Sequence, residues 1–238
     1  MIALETPRGS EYLTPGLMSN MPHSTLAVLI SGGLDSAILL GDALRRQDAI
    51  VPIYMRCGLS WESVEQAYLD RYLKALRSPK LQPLIVLEQP IADVYGQHWS
   101  ITGDAPLIGT PEEAVFLPGR NVLLLAKSLL WCHLHQVPAI ALGSLQTNPF
   151  PDATPAFFHG FQELVNQAVQ GKVEVRLPFG GMKKVAVMAL GKGLPLEHTF
   201  SCASPAGSLH CGCCSKCGER RDAFRDAAMV DPTRYANS

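Results

Sequence analysis

Ser31-Gly32-Gly33-Leu34-Asp35-Ser36 decides the fold. The apolar run Leu26–Ile30 precedes it, and the helical pattern Ala37–Leu44 follows. The order reads as a buried strand, a tight glycine turn and a helix start. The first N–H groups of a helix lack intrahelical partners and lie at the positive end of its dipole. Glycines let the backbone approach an anion closely, and two serine hydroxyls add donors, so the turn suits a phosphate. A plain structural turn capped by Ser or Asp is the competing reading for a glycine pair alone. The full hexapeptide in its strand–turn–helix setting favours the anion. No Lys follows the second glycine, so this is not a Walker A loop.

Working outward, Ala49–Tyr54 reads as a second strand and Trp61–Leu76 as an amphipathic helix. In that helix Val64, Tyr68, Tyr72 and Leu76 recur at four-residue spacing. Pro83–Leu87 is a third strand, Pro138–Leu142 a fourth, and Val173–Val175 an edge strand. Helices are expected over Val122–Leu134, from near Phe157 to Val169, over Val185–Leu190, and from Glu219 to Phe224. Alternating strands and helices give an α/β fold, a parallel sheet with helices on both faces, whose ligands lie beyond the carboxyl ends of the strands. Ile91–Phe116 lacks periodicity and reads as an excursion over that face, either a lid or an ordinary surface loop. Pro118-Gly119-Arg120-Asn121 opens a helix, where an Arg holds phosphate or carboxylate bidentately or simply meets solvent. Lys184, at another helix start, has the same two readings.

The 238 residues fit one domain with a small appendage, and the net charge of −1 gives no general pull toward nucleic acid. No apolar run reaches spanning length and no secretory pattern is present, so the expected compartment is the cytoplasm, with no membrane contact. Of seven cysteines, five fall between Cys202 and Cys217, while Cys57 and Cys132 stand alone. Cys211, Cys214 and Cys217 form nested CxxC spacings, and Cys202 closes a fourth corner. Four thiolates satisfy a tetrahedral, structural Zn2+ and bring on the order of 10 kcal/mol to a loop-rich segment. An iron–sulfur cluster is the main competitor, and a redox CxxC leaves the other thiols unexplained. Cys213, next to Cys214, reads as a bystander; His210 is a lesser substitute ligand.

The hexapeptide resembles the PP-loop of the N-type ATP pyrophosphatases. Loop and cysteine cluster together resemble the 7-cyano-7-deazaguanine synthase family, from about Ala27 to Phe224. The family pattern SGGLDS stands at Ser31–Ser36 and PGRN at Pro118–Asn121. Pro178-Phe179 with Lys184 is similar to its TPL-then-Lys segment. Ser201-Cys202, Cys211-Gly212, Cys214, Cys217 and Arg220, or Arg221 one residue late, match its cysteine signature. The resemblance implies a HUP-like ATP-binding domain over 25–195, behind an irregular lead-in over 1–24. A zinc-binding segment with a C-terminal helix follows over 196–238. It implies ATP, Mg2+ and Zn2+, a homodimer, and conversion of 7-carboxy-7-deazaguanine and ammonia to the 7-cyano base. It gives Ser31, Asp35, Ser36, Arg120 and Lys184 to catalysis. Ser31, Gly32, Gly33, Leu34, Asp35 and Ser36, with Gly119 and Arg120, fall to ATP. Asn121, Asp152, Phe157 and Arg220 fall to the substrate, and Cys202, Cys211, Cys214 and Cys217 to zinc.

Two segments depart from the family pattern. A GYPDCRPEF-like stretch reads here Asn148–Phe157: Asp152, Pro155 and Phe157 are kept, and Ala153, Thr154 and Ala156 replace Cys, Arg and Glu. The YGQ-like motif is Arg56-Cys57-Gly58-Leu59. Both border the family's substrate pocket. An alternative acceptor is therefore a different carboxylate, or a protein or nucleic acid, with Cys57 as a sulfur carrier lacking a partner thiol. A third reading is a nucleotide-binding module without turnover.

Overall fold

The computed structural model describes residues 25–237, so the expected lead-in over 1–24 lies outside the described residues. Strand β1 (Thr25–Leu29) runs into helix α1 (Leu34–Arg46), then β2 (Ala49–Arg56), α2 (Glu62–Leu76) and β3 (Ile85–Glu88). Two short helices follow, α3 (Ala92–Tyr95) and α4 (Trp99–Thr102). Next come α5 (Arg120–Leu134), β4 (Ala139–Ala141), α6 (Pro155–Val169), β5 (Glu174–Arg176), α7 (Lys184–Leu190) and α8 (Ser215–Asp226).

The five strands form one parallel sheet in the order β3-β2-β1-β4-β5. All of β1 is buried because both sheet faces are covered. Leu26 and Val28 meet α1, α7 and parts of α2 and α8 on one face, while Ala27 and Leu29 meet α5 and α6 on the other. The chain winds from β1 out to β3, then crosses back to β4 on the other side of β1. The order reverses between β1 and β4, and the hexapeptide leaves β1 at that point, where open α/β sheets hold ligands.

Several boundaries move for local reasons. Thr154 caps α6, its Oγ1 accepting the Phe157 N–H at 3.1 Å with Pro155 at the first helical position, so the helix starts ahead of Phe157. Helix α5 starts at Arg120, two residues before Val122, and α8 already includes Cys217. The buried stripe of α2 runs through Glu62, Glu65, Tyr68, Leu69 and Tyr72, leaving Val64 and Leu76 half-buried. The excursion over 91–116 is tied to the cysteine segment: Ile108 N–H donates to Cys213 O at 3.0 Å and Ser215 N–H to Pro106 O at 2.8 Å. Ala223 and Phe224 of α8 belong to the same core as α1, so the segment from 196 onward shares the core of the sheet.

Candidate active site

A cavity of about 400 Å³ opens beyond the carboxyl ends of β1, β2 and β4. The turn after β1 forms one wall. Gly32 adopts φ +78°, the left-handed region that disfavours side chains, and a Cβ there would stand 3.4 Å from Glu65 Cγ. The Ser31 and Ser36 hydroxyls lie 3.2 Å apart, Ser31 Oγ accepts the Gly33 N–H at 3.4 Å, and Ser36 Oγ donates to Gly33 O at 3.2 Å. Helix α1 begins here with no side-chain cap, unlike α6. A Cβ on Gly143, just past β4, would come within 3.2 Å of the Asp35 backbone, so glycine lets that strand end press on the turn.

Charged groups converge on this turn from distant elements. Lys184, first residue of α7, donates from Nζ to Asp35 Oδ1 at 2.6 Å, each side chain about one-third exposed (32% and 30%). Arg120, first residue of α5, lines the same cavity after Gly119, whose φ is +71°. Asp152 takes the Asn121 backbone N–H on Oδ2 at 2.9 Å, and the Asn121 amide donates to Asp152 O at 2.9 Å. Asp152 thereby serves as the anion at the start of α5. Arg220 is buried, giving Nε to Thr233 (2.6 Å), Nη1 to Thr199 (2.9 Å) and Ser201 (3.2 Å), and Nη2 to Leu196 O (3.1 Å). It braces the segment around Ser201 while forming part of the cavity wall.

The opposite wall is aromatic. Trp61 and Trp99 stack with centroids 5.6 Å apart, and Phe116 stacks on Phe150 at 4.7 Å. The Trp99 Nε1 is buried without a hydrogen-bond partner among the described residues. Glu65 lies buried between this wall and the turn, accepting from the Tyr54 hydroxyl at 2.8 Å. Burial lifts its carboxyl to about 7, against the lowering effect of the Tyr54 bond and the Arg120 charge. Glu62, one turn earlier, accepts the Cys57 N–H at 2.6 Å and the Gly58 N–H at 3.1 Å.

The four thiols of Cys202, Cys211, Cys214 and Cys217 are buried, with sulfurs all within 4.8 Å of one another. The Cys202–Cys214 and Cys211–Cys217 pairs are each 3.9 Å apart. Bonds of about 2.3 Å to a tetrahedral Zn2+ place sulfurs roughly 3.8 Å apart, so the set fits the ion. Backbone N–H groups of Ser204 and Cys211 point at Cys202 Sγ, and those of Cys213 and Cys214 at Cys211 Sγ, the outer donors that metal-bound sulfurs accept. Cys213 is exposed, outside the set, and the His210 Nε2 is taken by the Ser201 N–H at 3.1 Å. The cluster is fastened to the turn itself: Phe200 N–H donates to Gly32 O at 2.8 Å.

The profile of the family described as Queuosine biosynthesis protein QueC matches residues 25–228. The chain belongs to the QueC family. The 7-cyano-7-deazaguanine synthase of Solidesulfovibrio magneticus is 30% identical over 230 residues, covering 89% of this chain and 95% of that protein. The 7-cyano-7-deazaguanine synthase of Rhizobium etli is 32% identical over 225 residues, 87% of this chain and 90% of its own length. Within this QueC-family chain, Ser31, Gly33, Leu34, Asp35, Ser36, Arg120, Asn121, Asp152, Lys184 and Arg220 share one cavity lining. Gly32 and Gly119 act behind it, through backbone shape. Phe157 lies outside that lining: it stacks on Phe161 at 5.7 Å, meets Phe158 edge-on and packs with the α5–α6 core. Phe116 and Phe150 supply the aromatic wall in its place. Cys57 also lines the cavity, but burial pushes its thiol up to about 11, which disfavours the thiolate a sulfur carrier needs. Among the described residues no helix is long and apolar enough to cross a membrane.

Proposed function

We propose that this chain is an ATP-dependent carbon–nitrogen ligase converting 7-carboxy-7-deazaguanine and ammonia to 7-cyano-7-deazaguanine. The observation that carries the reading is one cavity shared by the Ser31–Ser36 turn, the Lys184–Asp35 pair and Arg120, in a chain of the QueC family. A carboxylate does not expel hydroxide, whereas AMP departs readily. The substrate carboxylate attacks the α-phosphorus of ATP, and pyrophosphate leaves into the donors of Ser31, Gly33 and Ser36. The α1 N-terminus and Lys184 meet the charge that develops there. Bound Mg2+ neutralises triphosphate charge. Ammonia then displaces AMP to give the amide. The amide oxygen attacks the α-phosphorus of a second ATP and expels a second pyrophosphate, and departure of AMP with loss of two N–H protons yields the nitrile.

Arg120 holds the carboxylate before activation, and Asn121 and Asp152 fix the turn that presents it. The Trp61–Trp99 and Phe116–Phe150 stacks suit a flat bicyclic base, and the Trp99 indole N–H is a donor left for it. Zn2+ in the four-thiolate set is structural and holds Ser201 and Arg220 in the wall. The enzyme works in the cytoplasm as a homodimer. The deciding assay measures pyrophosphate release that depends on 7-carboxy-7-deazaguanine, with the product identified by mass. ATP turnover indifferent to that base overturns the reading.

A further inference from the structure

Glu65 lines the cavity and takes no part in gripping phosphate. Its surroundings come from every side. Tyr54 reaches it from β2, Trp61 from just ahead of α2, Glu62 from within α2, and the Arg120 charge from α5. A Cβ at Gly32 of the phosphate turn would touch its Cγ, so the turn runs close beside it. Asp35 and Lys184 face the same cavity but pair with each other, and Lys216, Glu219 and Arg220 line it from α8. Among the described residues no Lys, Arg or His comes within ion-pairing distance of Glu65. A buried carboxylate without a paired cation is costly, and such costs concentrate where chemistry needs them.

We propose that Glu65 is the proton acceptor for the amine step, taking a proton from incoming ammonium beside the activated carboxyl carbon. The inference rests on the reading that an acyl adenylate forms in this cavity. Ammonium has no free electron pair and cannot attack. Transfer of one proton to the Glu65 carboxylate leaves neutral ammonia. Its electron pair forms the C–N bond, the C–O bond to AMP breaks, and AMP leaves with that pair. The second proton passes from nitrogen to water, and no oxidant or reductant is needed. Position favours the role: Glu65 abuts the phosphate turn and lines the same cavity as Arg120, Trp61 and Trp99. Its carboxyl, lifted to about 7 by burial, matches a proton acceptor working near neutrality.

The test uses the full zinc-loaded chain and Glu65→Gln. Acid-dependent exchange of pyrophosphate into ATP is expected to stay within about threefold of the parent. Ammonia-dependent amide formation is expected to fall about 100-fold, and the acid limb of its pH profile, near 7, to vanish. Hydroxylamine, uncharged at neutral pH, is expected to capture the acyl group from the variant nearly as well as from the parent. Tyr54→Phe keeps the carboxylate but removes a donor to it, so the acid limb moves to higher pH. An ammonia rate and pH limb unchanged in Glu65→Gln overturns the proposal. So does loss of exchange together with amide formation, which makes Glu65 part of the activation step. A parent protein without acid-dependent exchange instead overturns the adenylation reading on which the proposal stands.

Discussion

The side of the cavity proposed for phosphate comes from one continuous stretch, Ser31 to Ser36, with Lys184 laid against it. The acceptor side is assembled from pieces: Tyr54, Glu65, Trp99, Phe116, Phe150 and Arg220 belong to six different segments. On the first side the work is done by backbone N–H groups, hydroxyls and a helix dipole, which a short sequence fixes by itself. On the second it is done by side chains whose meeting depends on the whole sheet. Activation of a carboxylate needs little more than a place for pyrophosphate, so the first side can stay local. Choosing the acid and the amine needs shape and charge, so the second cannot.

The sharpest break of this contrast is Cys214→Ser. The cysteine set supports the acceptor wall and, through the Phe200–Gly32 hydrogen bond, also touches the phosphate turn. Metal content measured on the purified protein should fall from one zinc per chain to none. Stability in denaturant unfolding should drop by more than about 4 kcal/mol, the range reached when a structural metal is lost. Full metal content in Cys214→Ser would remove it from the ligand set.

Glu65 offers the next test, through stability alone. Its carboxyl is raised in the folded state to about 7, from an unfolded value of about 4.3. The folded protein therefore binds that proton more tightly than the unfolded chain. Stability from this group is full below about 4.3, declines as pH rises through the window up to about 7, and stays reduced above it. Glu65→Gln should thus be more stable than the parent at pH 8 by roughly 4 kcal/mol at most, and equal to it near pH 4. A variant less stable at both pH values would mean the carboxylate holds the fold together, and that the cavity does not carry a costly group.

Lys184→Met tests the phosphate side. It leaves the Asp35 carboxylate unpaired beside the turn, where it repels phosphate. We expect kcat for pyrophosphate release to fall about 100-fold, with a raised KM for ATP. Adding Asp35→Asn to Lys184→Met should recover the KM but not kcat. Recovery of both would assign the lysine only to neutralising Asp35.

The same division explains what the sequence discloses. The hexapeptide is legible because strand, glycine turn and helix start are neighbours in the chain. The four-cysteine set is legible because three of its members lie within seven residues. Glu65 is not, because a glutamate on an amphipathic helix reads as solvated. Its burial follows from the α2 stripe passing through Glu65, Leu69 and Tyr72 beside the turn. The nearest signal is the Glu62–Glu65 pair flanked by Trp61 and Tyr68, where two acids fall on the aromatic face. The excursion over 91–116 has no period of its own because docking on the cysteine segment shapes it. Phe157, carried over by motif position, lies outside the cavity lining and packs with Phe158 and Phe161 instead.

The smallest expected effect falls on Asp152, where the two sides meet. Its carboxylate accepts the Asn121 backbone N–H, filling one orphan donor of α5 and facing the positive end of the helix that carries Arg120. Asp152→Ala removes both, at a cost of about 1 kcal/mol, a fall in Tm of roughly 2–4 °C for a chain of this size. The phosphate turn does not contact Asp152, so ATP affinity should hold. KM for the acid should rise several-fold, because Arg120 is presented less firmly. Separate titrations of ATP and acid in the exchange assay would read the split. Equal weakening of both would mean that the start of α5 also serves the nucleotide, and that the two sides of the cavity are one device.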